Sequence, residues 1–314
     1  MSNDTDSRQS FAKRGITLRD VDWPVVVGIA AMHVGCLMAL LPVFFSWSGL
    51  IVAGLLLWIT GGLGITLCYH RLLTHHSFKT PRWFQCILTL FGCLAWQGGP
   101  IQWVGVHRIH HRHSDEPEDP HTPKHGFAWA HIFWCMHKQP QGQCATDAAK
   151  DLERDPFMRL LNRFFWVPQL LLVPLVYFAG EYFAGAGLSW LVWGVCARTV
   201  VLYHGTWFVN SATHTWGYRN FDTPDQSTNL WWVALLSFGE GWHNNHHAQQ
   251  RSAAHGMRWF EFDLTYCQIR LLALAGLAKN VVHPQRITGE NRPAGQPQQD
   301  TLPTPLTTRS QAQS

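Results

Sequence analysis

Charged residues are scarce in this chain of 314 residues, where Asp, Glu, Lys and Arg make up 14% of the total; soluble domains average about 25%. The formal net charge of +4 is too small a basic excess to indicate a nucleic-acid partner. The eight cysteines form no CxxC pair and no paired framework, which predicts reduced thiols. The sequence also contains no internal repeat, no glycine-rich phosphate loop and no GxSxG motif.

The chain does contain long segments with little or no charge. Residues 23–45 and 47–69 carry no charged side chain, and each meets the requirement of about 20 residues for crossing a bilayer. Two more candidate spans lie at about 164–180 and 186–209, separated by Glu181 and glycines. The pattern predicts four transmembrane helices arranged as two hairpins. The 17 tryptophans fit this prediction, because Trp favours membrane interfaces.

Residues 83–106 form a further uncharged run that is long enough to span. The run contains three glutamines, however, and it is interrupted by Gly98-Gly99-Pro100. We therefore predict a helix that lies in the membrane interface and is followed by a bend.

The distribution of lysine and arginine predicts the orientation of the spans in the membrane. They are frequent in residues 1–22 and 70–163 and absent from the short connections between spans. By the positive-inside rule, both termini and both polar regions, 70–163 and 210–283, are cytoplasmic. We expect an all-α, multi-pass protein of a bacterial inner membrane or an equivalent membrane, with a main domain at 23–283 that includes a cytosolic helical cap. The tail 284–314 is rich in Pro, Gln and Thr and is predicted to be disordered.

Histidine is unusually frequent, with 19 residues. Nine of them lie in three dense clusters and one NSATH element. The clusters are HRLLTHH with His70 and His75, HRIHH with His107, His110 and His111, and HNNHH with His243, His246 and His247; His214 ends NSATH, four residues after Asn210.

The spacing of these residues predicts metal ligands. Positions i, i+3 and i+4 of a helix share a face, so each HxxHH run is expected to aim three imidazoles at one point. Asn210 and His214 are i, i+4 and project together. His70 and His75 diverge by about 140° on an α-helix, which suits two different metals or a helix that ends between them. Nine imidazoles are enough for two metal ions and too many for one.

The type of ligand narrows the choice of metal. Nitrogen ligation suits Zn, Cu, Fe or Ni, but catalytic zinc usually takes three protein ligands. Soluble di-iron bundles use Glu and ExxH motifs, and no such set is visible here. A histidine-rich di-iron centre at the cytoplasmic membrane face remains, with dioxygen activation against a lipid C–H bond as its natural task. If 83–106 spanned the membrane, His107 and His70 would lie on opposite sides, so this hypothesis requires an interfacial run.

Other histidines receive simpler interpretations. Four are interpreted as interfacial polar groups or phosphate contacts, namely His33, His204, His255 and His283. Five are interpreted as surface residues or partners of the ligands, namely His76, His113, His125, His131 and His137.

Four segments carry a resemblance to a known family: GITLCYHRLLTHHSFK, WVGVHRIHHRHSDEPEDPH, WFVNSATHTWGYR and EGWHNNHH. Over about residues 20–280 the chain resembles the membrane-bound acyl desaturases of the delta-9 type, the stearoyl desaturase family. The resemblance implies four transmembrane helices under a cytosolic helical cap that holds two iron ions (Fe2+/Fe3+). It implies as ligands the nine histidines named above, with Asn210 acting through a water.

The resemblance also implies the reaction. With dioxygen as co-substrate, two vicinal hydrogens are removed from a saturated acyl chain, which is linked to a membrane lipid or to CoA. The product is a cis double bond, usually between carbons nine and ten. Two electrons come from a separate donor, a ferredoxin or a b-type cytochrome, since no cytochrome-like domain is fused here.

Further positions match the family outside the ligands. Gln97, Trp103 and Thr206 fall where the family lines the bend of its acyl tunnel; the alternative is interfacial anchoring or helix packing. Asp119 and His121, in DPH, match residues that orient the ligands.

Three other features concern the substrate. Trp58 lies twelve residues before the first histidine box, about 18 Å along a helix, where it could stop the methyl end of the chain; a packed membrane Trp is an equal alternative. Animal acyl-CoA desaturases carry an Arg-Asp pair at the positions of Gly105 and Val106, and this departure favours an acyl-lipid substrate. Arg198 is a charge inside the fourth predicted span. Such charges are rare and often functional, but the sequence identifies no partner for it.

Two alternatives stay open. A hydroxylase of fatty acyl or alkyl chains could use the same ligands. A metal transporter would place ligands near the membrane midplane, but the predicted spans contain only His33, His204 and Arg198 as candidates.

Overall fold

The computed structural model describes residues 18–138 and 145–285. Within these ranges the chain is helical, with four isolated antiparallel bridges and no strand. The all-α prediction is confirmed for this part of the chain. Most of the predicted cytosolic segment 1–22 and of the predicted disordered tail 284–314 lies outside the described residues.

Three helices are long and apolar enough to cross a membrane: Trp23–Leu40, Trp47–Thr74 and Trp166–Ala184. They correspond to the first three predicted spans. The first consists of an α-helix, Trp23–Leu37, and a 3₁₀ turn, Met38–Leu40. We call the second one, Trp47–Thr74, the second span.

The second span changes its winding along its length. It is an α-helix over Trp47–Leu57 and a π-helix over Trp58–Thr74. The hydroxyl of Ser46 caps its start by accepting a hydrogen bond from the N–H of Gly49 at 2.9 Å.

The predicted fourth span corresponds to an unbroken helical stretch, Gly187–Ser211, which we call the fourth helix. It consists of α-helix at Gly187–Leu191, π-helix at Val192–Ala197 and α-helix at Arg198–Ser211. It is not among the three long apolar helices, because polar residues such as Arg198 and His204 lower its hydropathy. The four-span topology therefore stays a prediction.

The ambiguous run 83–106 is broken as predicted. It contains the helix Arg82–Cys93, a bend, and the start of the helix Pro100–Arg112. Neither helix has the roughly 20 residues that a span requires. Pro100 occupies the first turn of its helix, where the missing N–H costs nothing.

Short helices complete the region that contains the histidine clusters. The α-helices are Phe127–His131, Ala145–Ala148, Lys150–Glu153, Pro156–Arg163, Trp231–Leu236, His243–Ala248 and Leu264–Leu274. The 3₁₀ turns are Leu18–Asp20, Pro42–Phe44, Pro123–His125, Phe133–Met136 and Ala212–His214.

The main apolar core lies directly beneath the histidines. It joins the end of the second span to three other helices, through fully buried side chains such as Leu67, Leu88, Val104 and Ile269. Gly64 permits this packing, because a Cβ there would collide with the backbone at Phe91 and Gly92. The core thus holds the last turns of the second span in a fixed position.

Candidate metal centre

The structure brings all nine predicted histidines together in two groups. One group, the five-His cluster, contains His70, His75, His107, His111 and His246. The other, the four-His cluster, contains His110, His214, His243 and His247. Within each group one nitrogen per ring lies within 4.8 Å of every other.

Each HxxHH run serves both clusters, so the expectation that each run aims at a single point is wrong. His107 and His111 belong to the five-His cluster, whereas His110 belongs to the four-His cluster. The physical reason is angular. An α-helix turns about 100° per residue, so neighbouring positions such as His110 and His111 point in clearly different directions. The helix Pro100–Arg112 therefore lies between the clusters and contributes to both.

His70 and His75 lie in the same cluster, with ring centroids 4.8 Å apart. The first alternative, that they bind two different metals, is therefore wrong, whereas the second, a helix that ends between them, is confirmed, because the helix ends at Thr74 and His75 is its C-cap. The second span ends as a π-helix, in which residues i and i+5 are one turn apart. The N–H of His75 accordingly donates to the carbonyl of His70 at 3.2 Å. The predicted divergence of about 140° applies to an α-helix, whereas this segment is a π-helix.

Four carboxylates hold the imidazoles from behind, each through a ring Nδ1. The contacts are His70 to Glu240 at 2.7 Å, His110 to Asp119 at 2.9 Å, His214 to Asp115 at 3.1 Å and His247 to Asp225 at 2.8 Å. Such contacts are typical of metal-binding histidines, because they fix the tautomer and the ring orientation.

The other ring nitrogen, Nε2, is left as a lone-pair acceptor in each of these four rings. Within the five-His cluster, Nε2 of His246 lies 3.1 Å from that of His70 and 2.9 Å from that of His111. In the four-His cluster, Nε2 of His110 lies 3.3 Å from that of His247. Because Nδ1 of both His110 and His247 faces a carboxylate, their two Nε2 lone pairs face each other and repel unless a cation lies between them.

Several buried nitrogens have no hydrogen-bond partner at all, including Nε2 of His75, Nε2 of His214 and both ring nitrogens of His243. Buried polar atoms without partners are costly. A divalent metal ion in each cluster would satisfy one nitrogen of each ring, and neutral imidazoles suit iron, zinc, copper or nickel. The donor set therefore fits two metal ions.

The protonation states favour metal binding. Burial, reinforced by neighbouring imidazoles, holds the pKa of His107, His111, His243 and His246 well below its ordinary value. These rings are neutral near pH 7, as a metal ligand must be.

The carboxylates stay ionised. Burial would raise the pKa of Asp119, but the facing His110 and His121 outweigh burial and lower it. Burial is likewise outweighed at Asp225, where hydrogen bonds from His247 and from Ser227 lower the pKa of the carboxyl.

Asp119 and His121, which the resemblance placed behind the ligands, lie where that role requires. One oxygen of Asp119 accepts from His110 and from the N–H of Asp115 at 3.0 Å, and the other accepts from the N–H of His121 at 3.1 Å. The ring centroids of His121 and His110 are 4.3 Å apart. Their effect on the ligands stays a prediction.

Sequence reasoning missed a buried network behind His70. Glu240 contacts His70 through Oε2, and the same oxygen lies 2.9 Å from Nδ1 of His255. Its Oε1 accepts from the guanidinium of Arg71 at 3.1 Å, and Arg71 also donates to Asp263 at 3.0 Å. Glu240 stands three residues before His243 in EGWHNNHH, so its proximity to a histidine box was the one available indication.

The interpretation of His255 as an interfacial group is wrong. His255 is completely buried, and its ring centroid lies 4.3 Å from that of His246. It supports the ligand shell without belonging to either cluster.

The predicted substrate residues fall into two places. Gln97 donates to Thr206 at 3.0 Å and so ties the bend to the fourth helix. The ring of Trp103 lies 5.2 Å from that of His107 and thus borders the five-His cluster. Trp58 is 40% exposed at the start of the π-helix, twelve residues from the first ligand. Asn210 is half-buried in the last turn of the fourth helix, and its water-mediated role stays a prediction.

The structure supplies partners for Arg198. This buried guanidinium donates to the carbonyls of Gly194 at 3.0 Å and Leu94 at 2.9 Å. It also lies 3.4 Å from the side-chain oxygen of Gln169. Arg198 therefore connects the fourth helix to the bend and to the third long helix.

Three histidines outside the clusters form a hydrogen-bonded chain. Nε2 of His33 lies 3.2 Å from Nε2 of His204, and Nδ1 of His204 lies 2.9 Å from Nε2 of His131. The chain ends at the hydroxyl of Ser211, 3.0 Å from His131. These rings pair one after another instead of converging, so they do not form the midplane ligand set that a transporter would need.

Comparison with known proteins identifies the family. The sequence model of the fatty acid desaturase family matches residues 45–270. The chain is 51% identical over 265 residues to the sn-1 stearoyl-lipid 9-desaturase of Anabaena variabilis, which covers 84% of this chain and 95% of that protein. It is 45% identical over 264 residues to the sn-2 palmitoyl-lipid 9-desaturase of Nostoc sp., and the alignment covers 83% of this chain and 90% of that protein. It is 40% identical over 281 residues to the icosanoyl-CoA 5-desaturase of Limnanthes douglasii, and the alignment covers 88% of this chain and 76% of that protein.

The chain belongs to the fatty acid desaturase family. It is an oxidoreductase, and the histidine clusters of the structure are consistent with the metal and dioxygen use of that family.

Proposed function

We propose that this protein introduces a cis double bond at the delta-9 position of a saturated fatty acyl chain that is esterified to a membrane lipid. The observation that carries the proposal is the arrangement of nine imidazoles as a group of five beside a group of four, with their nitrogens converging. The two relatives named as lipid 9-desaturases support the position of the double bond.

The nine histidines would hold two iron ions, five imidazoles around one and four around the other. Asn210 would complete the four-His site through a water. Bound iron would supply the redox chemistry that activates dioxygen. The reaction consumes one acyl –CH2–CH2– unit, O2, two electrons and two protons, and it yields –CH=CH– and two waters.

The residues of this chain prepare the site for that reaction. Glu240, Asp119, Asp115 and Asp225 keep the rings oriented and basic. Trp103 borders the five-His cluster and would direct the acyl chain past it. The Gln97–Thr206 hydrogen bond would hold the bend that the chain follows.

The surroundings of Gly105 support a lipid-linked substrate. Gly105 stands where animal acyl-CoA desaturases have an arginine for the CoA head group. A Cβ at this position would collide with the backbone of Ala145, because the helix Ala145–Ala148 packs directly on it. An arginine at this position would require that helix to move. The 40% identity to an acyl-CoA desaturase keeps the acyl carrier a matter for experiment.

We place the catalytic region on the cytoplasmic side of the membrane, with both termini there and with four spans. The division of 83–106 into two short helices supports this placement, because the chain then need not cross the membrane between the first and second histidine boxes.

The test is a fatty-acid methyl ester profile, with location of the double bond, of a host that expresses this chain. The expected product is a new cis-monounsaturated acid with the bond between carbons nine and ten. The His110→Ala and His246→Ala variants, each lacking a ligand of a different cluster, should give no product and should bind less iron. A hydroxy acid instead would identify a hydroxylase. Full activity of either variant would contradict the ligand assignment.

A further inference from the structure

A cavity of about 650 Å³ opens beside the five-His cluster. Its lining includes His75 and His111, which are proposed ligands, and His76, Arg108, Arg112 and Arg251. We call it the basic depression. Of the nine ligands, only His107 and His111 are half-buried rather than buried, and both belong to the five-His cluster. The basic depression therefore lies where that cluster comes close to solvent.

The charge of the basic depression is positive. Arg108 is neutralised by Asp151, with contacts of 2.6 and 3.0 Å. Arg112 and Arg251 are exposed, and neither forms an ion pair within residues 18–138 and 145–285. In the part of the chain that the structure describes, two exposed arginines therefore lie without a counter-charge at the edge of a cavity that is lined by two imidazoles of the five-His cluster.

We propose that the basic depression docks an acidic, one-electron carrier protein and that electrons enter the five-His cluster through it. This inference rests on the proposed function, because desaturation needs two electrons for each double bond. Each docking event would deliver one electron, so two docking events are needed for each double bond. Docking here would place the carrier against imidazoles bonded to the metal, whereas the four-His cluster is buried.

The charge complementarity sets the expected kinetics. Opposite charges at an exposed interface mainly accelerate encounter and are screened by salt. The kcat/KM for an acidic carrier should therefore fall steeply with ionic strength. A small uncharged reductant should show no such dependence.

The experiment uses the full-length protein in lipid nanodiscs with reduced plant-type ferredoxin as the carrier. In the double variant Arg112→Glu/Arg251→Glu, kcat/KM for ferredoxin should fall at least tenfold at low salt, and most of the salt dependence should disappear. The variant Arg112→Gln/Arg251→Gln should show a smaller loss. The control is Arg270→Glu, which reverses an exposed arginine outside the basic depression and should change neither quantity.

A second measurement separates docking from chemistry. Each protein is reduced chemically, freed of reductant and exposed to dioxygen, and the double bonds formed in this single turnover are counted. Equal yields together with the ferredoxin defect support the inference. Wild-type kinetics of the double variant with ferredoxin would overturn it. The inference would also be overturned if the double variant gave a lower single-turnover yield than the wild type in nanodiscs of anionic lipid but not in nanodiscs of neutral lipid. That result would indicate that the arginines bind a lipid headgroup. No product from the wild type would refute the proposed function instead.

Discussion

Replacing Asp119 by asparagine should weaken metal binding in the four-His cluster alone. The side chain of Asp119 is fully buried and accepts hydrogen bonds from His110 and from two backbone N–H groups. Asparagine has nearly the same size, but it has one acceptor oxygen and an NH2 group that can only donate. If its oxygen faces His110, the NH2 group must face the N–H of His121.

Two effects of this change can be estimated. The unsatisfied N–H of His121 should cost about 1–3 kcal/mol of folding stability. His110 loses the negative partner that keeps its ring oriented and basic, and removal of such a partner lowers metal affinity by about 10–100-fold. That range corresponds to about 1.4–2.7 kcal/mol of binding free energy. The five-His cluster has its own carboxylate, Glu240, and should be unaffected.

The assay is anaerobic competition between the protein and a chelator for Fe2+, followed by metal analysis. Asp119→Asn should lose one ion at a chelator concentration about 10–100-fold lower than the wild type does, and the other ion at the same concentration as the wild type. The control Asp155→Ala removes the N-cap of the helix Pro156–Arg163 and the ion pair with Arg82. It should lower the melting temperature without changing iron binding. Equal loss of both ions, or wild-type binding, would show that the assignment of Asp119 to one cluster is incorrect.

Three further results are expected. Glu240→Gln should produce the reverse pattern, with early loss of the ion in the five-His cluster; preferential loss from the four-His cluster would contradict the structure. Trp58→Ala should shift product formation toward longer acyl chains in the methyl ester profile, and an unchanged profile would mean that Trp58 does not end the tunnel. Burial and the nearby His204 lower the pKa of His131 to about 4, below the roughly 6.5 expected of an unfolded chain. His131 therefore stabilises the fold above pH 6.5 and loses this effect as the pH falls toward 4, so His131→Gln should flatten the dependence of the melting temperature on pH over that interval. An unchanged slope would contradict a lowered pKa of His131 in the folded protein.

Local spacing was enough to predict most of the ligands. His107, His110 and His111 lie within five residues of one another, so a single helix brings them together whatever the rest of the chain does. The same holds for the HNNHH run. The break at Gly98-Gly99-Pro100 was equally accessible, because glycine and proline interrupt helices for local reasons.

The division of the ligands between two clusters was not accessible in this way. Which face of a short helix points to which neighbour depends on the partner helices. The π-winding of Trp58–Thr74, which brings His70 and His75 into one cluster, has no reliable signature in sequence. Here tertiary packing decided the helical period itself.

The carboxylates that contact the histidines could not be predicted from the sequence either. Asp225 reaches His247 across 22 residues, and Asp115 reaches His214 across 99 residues. No periodicity links positions so far apart, and loop positions such as Asp225 could equally have been solvated. The interpretation of His255 was wrong for the same reason, since its contact with Glu240 joins residues of different segments.

The sequence by itself determined that this protein has long apolar helices, that nine of its histidines are candidate metal ligands, and that it resembles the fatty acid desaturases. The helices and the candidate ligands follow from composition and from spacing within single helices, which are local, and the family follows from the resemblance of four short segments. Only the tertiary structure decided the grouping into five and four, the carboxylates that orient the rings, and the carbonyl partners of Arg198. Those features join residues far apart in the chain, and their geometry is set by the packing of several helices at once.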